Sequence, residues 1–475
     1  MSSRKTALVA AALALLAGCA STSPREPFKD VSSAVDTRSG HKIRWNQATD
    51  DDKEAEKAID RLLGDELTVS SAVQVALLAN PSLQAKFEEL AISQADLVQA
   101  GLLKNPTFTL GRTAWEAEHI SPNLFATVEQ DFLDLVTMPM RKRVAAAELE
   151  ATKLEVGDHV LELAAQVREA FYTAQAAEQV VAMRRLVDEA SKTSAELARR
   201  QHEAGNMSDL ALNTELALAA QTSLDRKRSE GEAAVAREKL NKLMGAWGPR
   251  TAWKMAARLP ELPKEEAPLE HLESVAIGQR LDIGAARRNV QAMEYALGLA
   301  KTTRWVGTVN IGVEAGRLRH NRKFSFGPSV TLEIPLFDQR QAQIARLEAF
   351  KRQGESELAA LAIDVRADVR SSRARVLTAR GVVEEFGKVI VPLRENVVRY
   401  SQEQYDAMLI GVYQLIQAKQ SEYEAYREYI EALRDYWIAK SDLERAVGGR
   451  VGGSPPPLAV NNPSAAVAPP SPHSH

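Results

Sequence analysis

Two stretches of the chain place apolar or small residues at alternating intervals of three and four. Val160, Leu163, Val167, Ala170, Ala174, Ala177 and Val181 form the first. Ala362, Val365, Val369, Ser372, Val376, Ala379 and Val383 form the second, 202 residues later. This spacing is the a/d seam of a coiled coil held over three heptads, and it predicts two long helices packed along one stripe. Many seam positions are small, which lets neighbouring helices approach closely. No proline occurs from Met140 to Gly248, and the flanks are rich in good helix formers. The first long helix is therefore predicted from about Met140 to Ala204. "EAGNMSD" then interrupts the pattern, and "DAMLIG", 406 to 411, interrupts the second seam about 200 residues later.

A second periodicity precedes each long helix. In "VGTVNIGVEA", 306 to 315, Val309, Ile311, Val313 and Ala315 share one face, and Thr308, Asn310, Gly312 and Glu314 share the other. "FSFGPSVTLEI", 324 to 334, alternates in the same way, with Phe324, Phe326, Val330, Leu332 and Ile334 on its apolar side. "TFTLGRTAW" (107 to 115) and "LFATVEQDFL" (124 to 133) are weaker versions. Each is close to the ~9–11 residues a tilted strand needs to cross a bilayer. Two soluble hairpins on the flank of a helical protein would show the same alternation. Four strands per chain cannot close a barrel, and open sheet edges cannot stand in lipid. Strands that span a membrane here require several chains to share one barrel, apolar faces toward lipid and polar faces toward a lumen.

These elements recur as two tandem copies. "LTVSSAVQVALLANPSLQAK" opens the first and "LEHLESVAIGQRLDIGAARR" the second, with Asn80-Pro81-Ser82-Leu83 matching Arg280-Leu281-Asp282-Ile283. The expected division is a first repeat over 66–258, a proline-rich linker over 259–270 and a second repeat over 271–449. Residues 450–475 are rich in Pro, Ala, Val and Ser and are expected to be disordered. That tail ends in His473-Ser474-His475, a weak candidate for metal capture.

Composition narrows the function. The 475 residues exceed one ordinary core, and an aromatic content of 5% against 45% hydrophobic suits Ala-rich helix packing. A formal net charge of −3 gives no basic field for nucleic acid. No zinc-type Cys/His cluster, HExxH, phosphate-cradling GxxxxGK[ST] or nucleophile elbow is present, so no enzyme, cofactor or catalytic residue is assigned.

The N-terminus directs export. Arg4 and Lys5 precede a short apolar run, Thr6 to Ala17, too short to span a bilayer. It ends in Leu16-Ala17-Gly18-Cys19, which resembles the bacterial lipobox. The resemblance implies a signal peptide over 1–18, cleavage before Cys19, lipidation of that cysteine and a lipidated, polar tether over 19–65. Ala20 and Ser21 follow without an inner-membrane retention aspartate, which implies the outer membrane. Cys19 is the one cysteine, so the fold holds without disulfides.

Over about residues 66 to 449 the chain resembles the TolC-type outer-membrane efflux channels. The resemblance rests on the duplicated layout and on "NPSLQAK", "AGLLKNPTFTL", "IPLFDQRQAQIARLEA" and "EAGNMSDLAL" together. It implies a mainly α fold with transmembrane β: a homotrimer whose three chains, four strands each, build a 12-stranded barrel in the outer membrane, continued by a long periplasmic α-helical barrel. It implies docking onto a periplasmic adaptor and an inner-membrane pump. "IPLFDQ" is most similar to the heavy-metal branch, which implies metal-cation cargo. The alternatives are an adaptor, a structural coiled-coil lipoprotein, or the outer-membrane channel of a type I protein secretion system. An adaptor would carry one hairpin between two lipoyl-like halves, whereas two hairpins are expected here.

The two interruptions then become tips that turn the helices back. Gly205 can take φ > 0, and Ser208 or Asp209 can cap the returning helix. Gly205, Asn206, Met207, Ser208 and Asp209 are the adaptor-contact residues of the first tip; Met408, Leu409, Ile410 and Gly411 are those of the second. Aligned on Tyr405-Asp406-Ala407 and Gln417-Ala418, Met408 stands where the turn glycine belongs, so the second tip is expected to turn differently. Gln414 and Gln417 occupy the channel-mouth positions where the family often carries acids, and an acidic ring is absent there. No metal site is assigned.

Overall fold

In the computed structural model the described residues are 23–47, 49–113, 123–265, 270–317 and 324–450. Cys19, the signal region and the His473/His475 tail lie outside them. The chain divides into two units, Met1–Val31 with Lys86–Val156 and Asp282–Leu361, and Ser32–Ala85 with Gly157–Leu281 and Ala362–His475.

The alternating segments of the first unit form one antiparallel sheet. Its strands, β2 (Thr107–Thr113), β3 (Asn123–Asp131), β5 (Val309–Arg317) and β6 (Phe324–Leu332), lie side by side in chain order. Register puts Phe108 opposite Val128, Val128 opposite Val313, and Ile311 opposite Val330, so the apolar positions share one face as their alternation predicts. Phe125 lies on the opposite face, between Gly111 and Gly316. A Cβ on Gly111 would stand 2.2 Å from the Phe125 ring, so only glycine admits that aromatic.

Helix α5 begins at Phe132 and runs to Glu203, 72 residues with Pro139 inside. The predicted start at Met140 is thus eight residues late. A proline removes one helical hydrogen bond, but the turns on either side of this one are pinned. Buried Asp134 accepts from the Lys104 amide at 3.0 Å and from Arg141, while Asp131 accepts from the Asp134 amide at 3.2 Å.

The segment expected as a polar tether is folded. Helix α1 (Arg25–Ser39) and helix α2 (Asp50–Gly64) bracket an extended stretch. In the second unit Val35, Ile43, Trp45, Ile59 and Leu63 of this segment are buried, and Arg44 pairs with Asp52 at 2.8 Å. Its apolar residues are few and widely spaced, which is why composition read it as solvated. A two-residue parallel bridge joins β1 (Glu66–Leu67) to β4 (Lys254–Met255). Helices α3 (Val69–Ala79), α4 (Pro81–Ala100), α7 (Leu272–Gln279) and α8 (Leu281–Thr302) complete the short elements.

The second unit repeats its own geometry. Helix α6 (Asp209–Met244) and helix α11 (Val412–Val447) each have 36 residues and end on a left-handed glycine, Gly245 (φ 67°) and Gly448 (φ 88°). A Cβ on Gly245 would meet the Ala79 carbonyl at 2.7 Å, and one on Gly448 would meet the Arg280 side chain at 2.9 Å. Asn80 donates to the Leu243 carbonyl at 2.8 Å, and Arg280 to that of Ala446 at 3.2 Å. The two glycines and the two acceptor carbonyls lie 203 residues apart, although the long-helix seams lie 202 apart.

The extra residue is visible. Helix α9 (Gln341–Glu385) passes through a π turn, Phe386–Ile390, into α10 (Val391–Asp406). Buried Val383, Val391 and Val398 are separated by eight and then seven, where Val181, Asp188 and Ala195 of α5 are separated by seven throughout. A single inserted residue has been absorbed as a π bulge, which keeps the later seam positions facing inward. Deleting Lys388 should convert this turn to regular α-helix and cost no more than about 1 kcal/mol, because the seam returns to its heptad phase. Deleting Arg185 from α5 throws Asp188 and Ala195 out of phase and should cost far more. Thermal unfolding followed by circular dichroism compares the two; equal losses would refute the insertion account.

Candidate functional site

Two features stand out as sites, and neither is a pocket. The first is the sheet of the first unit. Phe108, Leu110, Leu124, Val128, Val313, Phe326, Val330 and Leu332 are all exposed on its apolar face. Monomeric soluble proteins rarely expose so continuous an apolar patch. The opposite face carries Thr109, Thr127, Glu129, Asp131, Asn310, Glu314, Ser329 and Thr331, with no lysine or arginine among the described residues. β2 and β6 are the outer strands, each with an unpaired edge within the chain. Pro328 sits on β6, where an edge position tolerates its missing N–H.

The second feature is the pair of hairpin tips in the second unit. At the first, Gly205 has φ 76° and donates its N–H to the His202 carbonyl at 2.8 Å, while Asn206 donates to Gln201 at 2.8 Å. At the second, Met408 has φ 59° and donates to Tyr405 at 2.9 Å, while Leu409 donates to Gln404 at 2.9 Å. The bonding pattern is the same Schellman closure. The second tip therefore turns as the first does, against expectation, and Met408 takes the left-handed conformation that Gly205 takes 203 residues earlier. For a residue with a Cβ that conformation is strained.

The caps exchange residue types. Ser208 caps α6 by accepting from the Ala211 amide at 3.3 Å. Gly411 stands at the same place before α11 and has no side chain, so Gln414 reaches back to accept its N–H at 3.0 Å. Gln414 is thereby engaged at the turn, and Gln417 donates to the Tyr413 hydroxyl at 3.2 Å. Chemically the tips differ. The first is polar: His202 contacts the Met207 carbonyl at 2.9 Å and Asp209 at 3.5 Å, and Asn206 is exposed. The second is apolar: Met408 is 93% exposed, Leu409 74%, and Ile410 is half-buried.

The hairpins behind the tips differ too. Glu215, Thr222 and Ser229 are buried on α6, whereas Ala418, Ala425 and Ala432 are buried at the matching places on α11. Glu215 accepts from Ser194 at 2.8 Å. Buried Asp188 is gripped by Lys192 at 2.7 Å and Arg226 at 2.8 Å, and these cations, Lys192 first, hold its carboxyl below the ordinary range. Apolar heptads gave no sign of this seam, because its buried residues are polar. Glu215, Thr222 and Ser229 keep heptad spacing and could have been found by it. Among the described residues no group of three His, Cys, Asp or Glu could hold a metal, and no helix is long and apolar enough to cross a membrane.

Residues 272–449 match the family model described as outer membrane efflux protein. The cobalt-zinc-cadmium resistance protein CzcC of Cupriavidus metallidurans is 20% identical over 385 residues, covering 80% of this chain and 90% of CzcC. The solved CmeC outer membrane channel of Campylobacter jejuni is similar at TM-score 0.70 and 14% identity, covering 83% of this chain and 87% of that one. CusC is similar at TM-score 0.68 and 14% identity, covering 81% and 93%. At these identities the solved structures speak for the fold.

Met408→Gly should relieve backbone strain of about 1 kcal/mol and slow hydrogen exchange at the Leu409 amide. Gly205→Val should cost at least as much and speed exchange at Asn206. Exchange at Leu409 unchanged or faster in Met408→Gly would mean that Met408 is not strained.

Proposed function

We propose, on the premise that this chain belongs to the outer membrane efflux protein family, that it is the outer-membrane channel of a tripartite efflux system. It resides in the bacterial outer membrane, extends into the periplasm and transports rather than catalyses. The observation that carries this reading is the two-faced sheet. Its nine-residue strands β3, β5 and β6 rise about 30 Å at ~3.3 Å per residue, and a tilt of ~40° reduces that to roughly 23 Å. That height suits the apolar band of an outer-membrane barrel, ~25 Å.

Open edges at β2 and β6 cannot face lipid, so copies of the chain must pair edge to edge. Three copies supply twelve strands, and the tandem hairpins of each continue the barrel as an α-helical tube. Cys19 carries acyl chains that anchor the protein in outer-membrane lipid. The tips, Gly205 to Asp209 and Met408 to Gly411, meet a periplasmic adaptor joined to an inner-membrane pump. Gln414 and Gln417 stand at the channel mouth. Heavy-metal cations are the proposed cargo: CzcC is by name a cobalt-zinc-cadmium resistance protein, and the polar sheet face offers Glu129 and Glu314, while Asp131 at its end is paired with Lys104 at 3.0 Å.

Leu332→Arg, on the apolar face, should cost about 2–4 kcal/mol if the site lies near the bilayer midplane. Thr331→Arg, on the polar face, should be milder. Equal assembly of both variants in outer membranes would reverse or abolish the assigned facing. Cysteines at Asn206 and Leu409 should cross-link to a co-expressed adaptor, and silence at both tips would remove their docking role. Radioactive palmitate should label the protein but not Cys19→Ser.

A further inference from the structure

The second unit also holds a cleft of about 220 Å³ with a narrow extension of about 20 Å³. Arg168, Glu444 and Arg450 line both. We propose that this cleft binds an anionic group carried on a sugar ring, the carboxylate or phosphate of an acidic glycan.

The charge balance points to an anion. Arg38, only 5% exposed, lines the extension. Its Nε and Nη1 donate to the carbonyls of Gln279 (3.3 Å) and Ala34 (3.0 Å), and it makes no ion pair with a carboxylate among the described residues. A buried cation without a counter-charge is costly. Arg450 lies against Gly40, where a Cβ would come within 2.6 Å of its Nη2, so the absence of a side chain there makes room for the guanidinium. Lys440 lines the cleft with its Nζ 5.5 Å from the Trp437 ring centroid. Glu444 is the carboxylate that lines the cleft and its extension, and Arg168 holds it at 2.7 Å. Arg445 is occupied by Asp158 and Glu162. His41, in the cleft wall, registers the resulting field. Burial first, then the charges of Arg168 and Arg450, lower its pKa to about 4, against the opposing effects of Gln74 and Asp36.

The shape adds the sugar. Tyr172 and Trp437 stack at 5.6 Å with planes 23° apart and form part of the wall. An aromatic face beside cationic donors suits a pyranose that carries an acid. Val69 and Ser70 complete the rim as the first residues of α3, where backbone N–H groups lack helical partners.

Outer-membrane placement offers two sources of such a group, so the choice of probes, though not the site, rests on that reading. One probe is peptidoglycan sacculi stripped of their stem peptides by an amidase, which leaves a lactyl carboxylate on the sugar; the other is vesicles containing lipopolysaccharide, whose sugar-borne acids are phosphates. The full-length protein in detergent should co-sediment with at least one of them. Lys440→Glu combined with Arg450→Glu should weaken that binding roughly tenfold or more, and Trp437→Leu should weaken it independently. Sacculi alone identify a cell-wall carboxylate, and vesicles alone a lipid phosphate. Binding of neither probe, equal binding by the charge-reversed variant, or binding of inorganic phosphate alone would overturn the proposal. Assembly of the variant in outer membranes, scored separately, reports on the channel reading and not on the cleft.

Discussion

Everything in the first unit follows from an apolar surface that water cannot cover cheaply. Val128, Val313, Val330 and Leu332 share one face across three strands and are exposed. At about 25 cal/mol per Å² of apolar area, a face of this size strongly favours removal from water. Lipid would satisfy the side chains but not the open backbone edges at β2 and β6. Closure with further copies satisfies both, and this joint demand underlies the proposed trimeric barrel.

The second unit answers a different problem, keeping long helices in phase over many turns. Small residues along the α5 and α9 seams allow close packing, and any insertion must be absorbed locally or rotate every later residue out of the seam. The π turn at Phe386–Ile390 absorbs one. Beyond it, Val391 and Val398 return to the buried stripe, and both hairpins reach their tips with the same turn geometry. Regular heptads thus tolerate a length change at the expense of one widened turn.

Polar chemistry is distributed unequally between the matching halves. One hairpin buries Glu215, Thr222 and Ser229 and ends in a polar tip; the other buries three alanines and ends in exposed Met408 and Leu409. Two similar backbones can therefore present different surfaces to one partner. The cationic cleft around Arg168 and Arg450 shows the same economy, since it arises where the ends of several helices and the extended N-terminal stretch bring their charges together.

The periodic elements were legible from the sequence alone. Alternation marked all four strands and the facing of β5 and β6, and the heptad seams marked the long helices, because each pattern is written in residues two, three or four apart. What escaped the sequence depended on distant neighbours. Pro139 does not start a helix because buried Asp134, bonded to Lys104 and Arg141, holds the turns around it. The N-terminal stretch folds with Val35, Ile43 and Trp45 buried, and Arg38 donates to the carbonyl of distant Gln279, which its polar composition concealed. Met408 takes a glycine's conformation because the helices it joins dictate the turn, whatever the local preference of methionine. The cleft draws Arg38, Arg168, and Lys440 with Arg450 from three segments each more than a hundred residues apart. Local periodicity determined the elements; long-range packing decided where strain, buried charge and binding surfaces fell, since their energies depend on neighbours that no short window of sequence contains.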